Sequence, residues 1–294
     1  MKIFNRIVLP LALVAAITAC GKQEEATAAA AITTTVAAAA PAAAATTPDG
    51  SVLTLIRALR NNDFNALINS ALPVAEVAQF KSDWTSTLNA EPITADDRQK
   101  FAEQMAQLTA PGAEERLFAE IEPQLKQLEA QAAQMPLLIM MGQGMLQGMI
   151  EQNQELSSEQ RQQSMALIAA AGQWAQTVKI ADPALAKAAI ATLTKAARDL
   201  NLKSLDELRA LNYDQGMAKA GIAFASAKQI AAIYGLQIDQ WLDSVKTETV
   251  STSGDTAQVK ISYTAFDQPF TTADELVKMD GRWYSKQVIE QTQK

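Results

Sequence analysis

The stretch Gly254-Asp255-Thr256-Ala257-Gln258-Val259-Lys260-Ile261-Ser262-Tyr263-Thr264 is where this chain changes its period. Ala257, Val259, Ile261 and Tyr263 alternate with Gln258, Lys260, Ser262 and Thr264. A period of two gathers the apolar set on one face, so the stretch reads as a half-buried antiparallel strand. Gly254-Asp255, just before it, suits a II′ turn. Further on, Asp280-Gly281 separates 275–279 from 282–287, and this dipeptide is the strongest short hairpin signal. Across such a two-residue turn Val277 faces Tyr284 and Glu275 faces Lys286, both favourable cross-strand pairs. Residues 245–294 are therefore expected to form an antiparallel meander of three or four strands.

Upstream of that change, residues 51–244 read as helix after helix. Leu53, Ile56 and Leu59 recur at helical spacing, and Asp63 is placed to cap a short second segment ending at Ala71. Pro73 opens a helix carrying Val77, Phe80 and Trp84. Thr94-Ala95-Asp96-Asp97 caps another, with acids where the macrodipole favours them. The segment 113–134 contains Pro123, which is expected to kink or split it. Pro136 fits the first position of an apolar helix. Ser157-Ser158-Glu159-Gln160 and Ser204-Leu205-Asp206-Glu207 read as capping boxes, and Asp182-Pro183 as a cap followed by a first-position proline. Asp214 is expected to cap a long helix ending at Gly235, with a last short helix holding Ile238, Trp241 and Leu242. The fold class is thus mainly α with a small C-terminal β-meander (α+β). A helical bundle and a three- or four-stranded sheet are expected to pack as one unit. A short similarity between 54–60 and 192–198 is best explained by the abundance of Ala and Leu.

Helices followed by a meander ending Val277-Lys278-Met279-Asp280-Gly281-Arg282-Trp283-Tyr284 resemble the cystatin/NTF2-like domains of bacterial lipoproteins. The resemblance covers at most residues 183–294 and implies no particular activity.

The N-terminal part carries an address. Lys2 and Arg6 precede an apolar run of about a dozen residues, 7–18, in the pattern of a secretory signal. That run is too short to cross a bilayer, which takes about 20 residues. Ile17-Thr18-Ala19-Cys20 then resembles the lipobox of bacterial lipoproteins. The resemblance implies cleavage of the signal 1–19, a diacylglycerol thioether on Cys20 and acylation, palmitate included, of the new amine. Each buried CH₂ contributes about 0.8 kcal/mol and one chain holds only marginally, so several chains on one residue anchor stably. Cys20 is the single cysteine of the chain and the lipid-attachment site expected of it. Gly21 follows it where such lipoproteins carry Asp for inner-membrane retention, so the outer membrane is expected, with the folded part in the periplasm. Residues 20–50 hold the anchor and a low-complexity Ala/Thr segment with Pro41 and Pro48. It has few large side chains to bury and reads as a tether of roughly 30 Å end to end.

Composition excludes more than it assigns. The full chain has a formal charge of −7, and loss of Lys2 and Arg6 with the signal leaves 23 basic against 32 acidic residues, −9. Without a basic cluster, nucleic acid is not an expected partner. The chain has no histidine, which removes Ser-His-Asp and Cys-His catalysis, the usual zinc sites and pH switching near neutrality. Gly-x-Ser-x-Gly, Ser-x-x-Lys, phosphate-cradling glycine loops and calcium-loop spacing are absent too. No catalytic residue, cofactor site or metal site is assigned. The leading expectation is a non-enzymatic envelope lipoprotein, its partners the bilayer, through acylated Cys20, and another envelope protein. The alternatives are a carboxylate-based hydrolase of cell-wall glycan and a carrier of apolar ligands. Trp84, Trp174, Trp241 and Trp283 lie on apolar stripes or the sheet and are expected to pack rather than to form a sugar platform.

One stretch stays open. Residues 136–150, PLLIMMGQGMLQGMI, are the most apolar after the signal, and with Met135 they hold five of the ten methionines. Met141, Met145 and Met149 share one helical face. Thioethers suit Cu(I), and Met-rich faces make adaptable binding grooves. A bundle of this size also needs a buried apolar helix, with Gly144 and Gly148 letting neighbours approach. That need favours the core reading.

Overall fold

The computed structural model describes residues 46–154 and 156–292. The expected signal, Cys20 and the expected tether up to residue 45 lie outside the described residues. Local capping chemistry sets most helix boundaries. Helix α1, Pro48–Arg60, starts three residues earlier than expected, because Thr47 caps it by accepting from the Gly50 amide and Pro48 is its first residue. Pro48, read above as part of the tether, is instead preorganised for a helix start. Helix α2, Phe64–Ala71, is capped by Asp63, and α3, Val74–Leu88, follows Pro73. A reciprocal Thr94/Asp97 box opens α4, Ala95–Thr109.

Helix α5, Ala113–Ala130, runs unsplit through Pro123. Pro123 and Ala119 are both exposed, so the carbonyl that loses its amide partner lies on the water side. The chain breaks instead at Gln131, and a 3₁₀ turn, Ala132–Gln134, leads into α6, Met135–Gln152. The Ser157/Gln160 box opens α7, Ser158–Thr177, and Asp182 caps α8, Pro183–Leu200. The second expected box is half formed. Ser204 accepts from the Glu207 amide, but the Glu207 carboxylate takes the Lys203 amide, and α9, Leu205–Arg209, is one short turn. Helix α10, Tyr213–Ile233, is capped by Asn212 with Gln215 in a full box, which places Asp214 inside the first turn rather than at the cap. Gly235 follows it at φ +90°, the left-handed stop that glycine takes without strain. Helix α11 is Ile238–Asp243.

The sheet is a meander of four antiparallel strands in the order β1-β2-β3-β4, comprising Lys246–Ser253, Thr256–Ala265, Gln268–Met279 and Arg282–Ser285. Val277 pairs with Tyr284 across Asp280-Gly281 as the turn requires. The β2–β3 turn, Phe266-Asp267, lacks glycine, yet both residues take positive φ, 50° and 59°. The Phe266 ring lies 4.7 Å from that of Trp241 and 6.2 Å from that of Trp174, and this packing holds the turn. The last strand also ends earlier than expected. Residues 286–292 form α12, Lys286–Thr292, so the region 245–294 is not purely β. Ile289 is buried and Val288 packs against the Ile68–Tyr213 cluster. On a strand these neighbours would face opposite sides; a helical turn lets both face inward. The expected Glu275–Lys286 pair still forms, at 3.0 Å.

Helices and sheet share a core. Ala257, Val259, Leu276 and Trp283 pack on Val52 and Ile56 of α1. A second cluster joins α4, α8 and the following loop through Met105, Ala196, Ala197, Leu200 and Leu202. Helix α5 is fastened to α8 by Glu114, which accepts from Thr194 Oγ1 at 2.7 Å and pairs with Arg198 at 2.7 Å. The Arg198 guanidinium, then Thr194, pull the Glu114 carboxyl down to about 2. A depressed acid stabilises the fold fully above its unfolded value, about 4.3, and that contribution is lost as pH falls towards 2.

Asp274 behaves oppositely. It lies on β3 opposite Val259, on the same face as buried Leu276. Burial pushes its carboxyl up, offset only in part by the Ser285 hydroxyl, which donates to it at 3.1 Å. A raised acid favours folding below its unfolded value, about 3.9, and that advantage is lost as pH rises through the folded one. Asp274→Asn is therefore expected to raise the melting temperature at pH 7, with the gain shrinking to nothing below about pH 4. Melting curves across pH check this; a variant less stable at pH 7 would show that the carboxylate is better satisfied than the geometry indicates.

Candidate docking face on helix α6

No charged side chain lies between Glu129 and Glu151. Helix α6, which fills most of this interval and ends just past Glu151, is antiparallel to α7 and packs on it along one side. Gln143 points inward there, its amide donating to the Ile168 and Ala169 carbonyls at 3.2 and 3.4 Å. Gly172 of α7 makes room for it: a Cβ there would sit 1.7 Å from the Gln143 amide nitrogen. At 100° per residue, Ile139, Gln143 and Ile150 fall on the α7 side. Leu137, Leu138, Met141, Met145 and Met149 fall on the other.

That other side faces water. Leu138 is 53% exposed, Leu137 56%, Met149 60%, Met141 64% and Met145 71%. No residue of α6 is buried. The core expectation for this stretch is therefore overturned. A helix apolar all round carries no period that says which side is inward. Here the core was filled by narrow Ala-rich helices, α8 and α10, leaving α6 outside. Among the described residues Gly142, Gly144 and Gly148 have nothing within 4 Å of where a Cβ would lie, so the expected close approach at Gly144 and Gly148 is not made there. Met141 and Met149 are about 12 Å apart along the axis, an arrangement suited to an extended face more than to one ion.

Met145→Asp is accordingly expected to leave the fold intact, its melting curve within about 0.5 kcal/mol of wild type, as surface substitutions are. Loss of the cooperative transition in a circular-dichroism melt would return α6 to the core.

The remaining candidates converge less. One shallow cleft is lined by Thr85, Asn89, Arg98, Asp206 and Arg209, another by Glu151, Ser158, Arg161 and Met165. Each holds one carboxylate, and Asp206 is gripped by Arg98 at 2.9 and 3.1 Å. Asp274, whose carboxyl is raised, lines neither. Asp274 and Glu275 are neighbours on a strand and face opposite sides. The two-carboxylate arrangement of glycan hydrolysis is not assembled at these clefts. Among the described residues no group of three or more His, Cys, Asp or Glu is placed to hold a metal ion, and no helix is long and apolar enough to cross a membrane. The tryptophans pack as expected. Trp283 is buried in the sheet core, Trp84 meets Phe80 and Tyr213 edge-on and donates to the Leu211 carbonyl, and Trp174 donates to the Tyr234 carbonyl.

Fold and face together define a mainly α module with a C-terminal meander and one apolar helix, uncharged up to Glu151, left on its outside. No protein-family model matches the chain, and neither a curated protein nor a solved structure matches it.

Proposed function

We propose that this protein is a non-enzymatic lipoprotein of the bacterial cell envelope that docks another protein through the exposed face of α6. The observation that carries the reading is that face: an uncharged Met/Leu surface on an otherwise acidic chain. Contiguous exposed apolar surface marks interaction sites, and methionine adapts its shape to a partner at little cost. The anchor rests on Ile17-Thr18-Ala19-Cys20 and the tether on residues 21–47, which give the module reach from the membrane into the periplasm. Gly21 favours the outer membrane.

Two experiments test the two halves. Cys20→Ser is expected to abolish fatty-acid labelling and leave the precursor uncut; normal labelling of this variant sinks the anchor. A photo-crosslinking amino acid at Met145, in cells, is expected to capture protein, whereas the same probe at Lys126 on α5, an exposed polar site, is not. Equal capture at both positions, or none at Met145, sinks the docking face.

A further inference from the structure

The exposed face of α6 reads nearly the same in both directions. Residues 141–149 are Met-Gly-Gln-Gly-Met-Leu-Gln-Gly-Met. About Met145 as centre, Met141 mirrors Met149, Gly142 mirrors Gly148 and Gln143 mirrors Gln147; only Gly144 and Leu146 break the pattern. The mirror holds in space as well as in sequence. At 100° per residue Met141 and Met149 lie 40° to either side of Met145, and Gly142 and Gly148 lie 60° to either side. Two antiparallel helices related by a two-fold axis through Met145 would set each residue opposite its mirror mate. Resting on the docking reading above, we infer that the partner of this face is a second copy of the chain, paired antiparallel through α6 about Met145.

Three further observations favour a copy over other occupants. An isologous contact brings each patch against itself, so any net charge on the face would confront an equal net charge of the same sign. The interval from Ala130 to Ile150 has none, which suits self-pairing of a chain whose mature net charge is −9. The antiparallel sense also puts the two Glu151 side chains at opposite ends and opposes the helix dipoles. Second, the area is sufficient. The five exposed side chains leave on the order of 600 Å² of apolar surface in water, the upper range for a monomer's largest patch. Two copies would remove on the order of 1,200 Å², the lower bound of a stable specific interface. Third, the open space over Gly142 and Gly148 leaves a notch on each side of Met145, where the side chains of an opposing helix could seat. A lipid surface fits less well, since interfacial helices carry Lys and Arg beside the apolar face and α6 carries neither. Anchoring both copies to one membrane would raise their effective concentration, so a modest interface suffices.

Cys20 is the one native cysteine and is blocked when acylated, so an added cysteine reports its own neighbourhood. In the full chain expressed in cells, Met145→Cys is expected to give a reducible disulfide dimer of twice the chain mass, because the axis brings the two sulfurs together. Met140→Cys, also exposed on the same helix (60% against 71% for Met145) but off the face, is expected to stay monomeric, as is wild type. A Met145→Cys dimer no more abundant than that of Met140→Cys overturns the two-fold. If the photo-crosslinker at Met145 captures a different protein and not this chain, self-pairing falls while the docking face stands. If it captures nothing, both fall. A disulfide dimer of wild type would instead report a free Cys20 and overturn the anchor, with the two-fold then judged from the excess at 145 over 140.

Discussion

Lys228→Ala is expected to cost about 3 kcal/mol of stability. Lys228 is 4% exposed and lies on α10 under the end of α1. The last carbonyls of α1 need partners from outside the helix ladder. Those of Arg57, Ala58 and Leu59 receive the amides of Asn61, Asp63 and Asn62. The Arg60 carbonyl takes the Lys228 ammonium, at 3.1 Å. The same ammonium also bonds the Asp239 carboxylate of α11 and lies over the Phe224 ring. It is a cation at the negative end of a helix dipole. Alanine removes the donor, leaves the carbonyl without it and opens a cavity where the aliphatic stem lay. Asp239 keeps Arg60 at 3.3 Å, which holds the loss below that of a fully stranded charge. Lys228→Met retains the stem and separates the two effects: about half the loss is expected to remain. Denaturant titration measures both, and a loss under about 1 kcal/mol for alanine would mean that the ammonium is not bound as described.

Gly221→Ala is expected to be comparably damaging, on the order of 3 kcal/mol, or roughly 6–12 °C for a domain of this size. A Cβ at Gly221 would lie 2.3 Å from the Asn62 carbonyl oxygen. That oxygen is backbone, in the turn between α1 and α2, where Asn62 itself holds φ 59°. Neither side yields without moving a helix. Gly142→Ala provides the contrast. It meets open space, so exchanging a helix-interior glycine for alanine is expected to gain up to about 1 kcal/mol. If Gly221→Ala melts like wild type, α10 does not approach the α1–α2 turn as closely as the geometry states.

Both damaging sites lie on α10, and neither is conspicuous in the sequence. Read alone, Lys228 is one lysine in an Ala-rich run, and Gly221 is a helix-interior glycine with no stated reason. The reverse error occurs at α6, where the strongest hydrophobic signal of the folded part turned out to face water. The mirror about Met145 was on view in the sequence throughout. It has meaning only once that side of the helix is seen to lie exposed among the described residues.

What the sequence determined by itself is what depends on a few adjacent residues. Caps at Thr94, Ser157 and Asp182, the proline at 136 and the hairpins at Gly254-Asp255 and Asp280-Gly281 satisfy or release backbone groups within three or four positions. Those bonds form whatever else surrounds them. The period change near Val245 likewise separated helices from sheet. The tertiary structure alone decided which apolar helix was buried, because that depends on how many faces compete for one interior and on how closely backbones approach. Ala- and Gly-rich α10 took the centre, where its narrow residues admit the Trp84 ring at Gly216 and the Asn62 backbone at Gly221. The bulkier α6 stayed outside with its methionines exposed. The Phe266-Asp267 turn and α12 were decided the same way, by rings and side chains distant in sequence whose packing outweighs the local preference of the residues concerned.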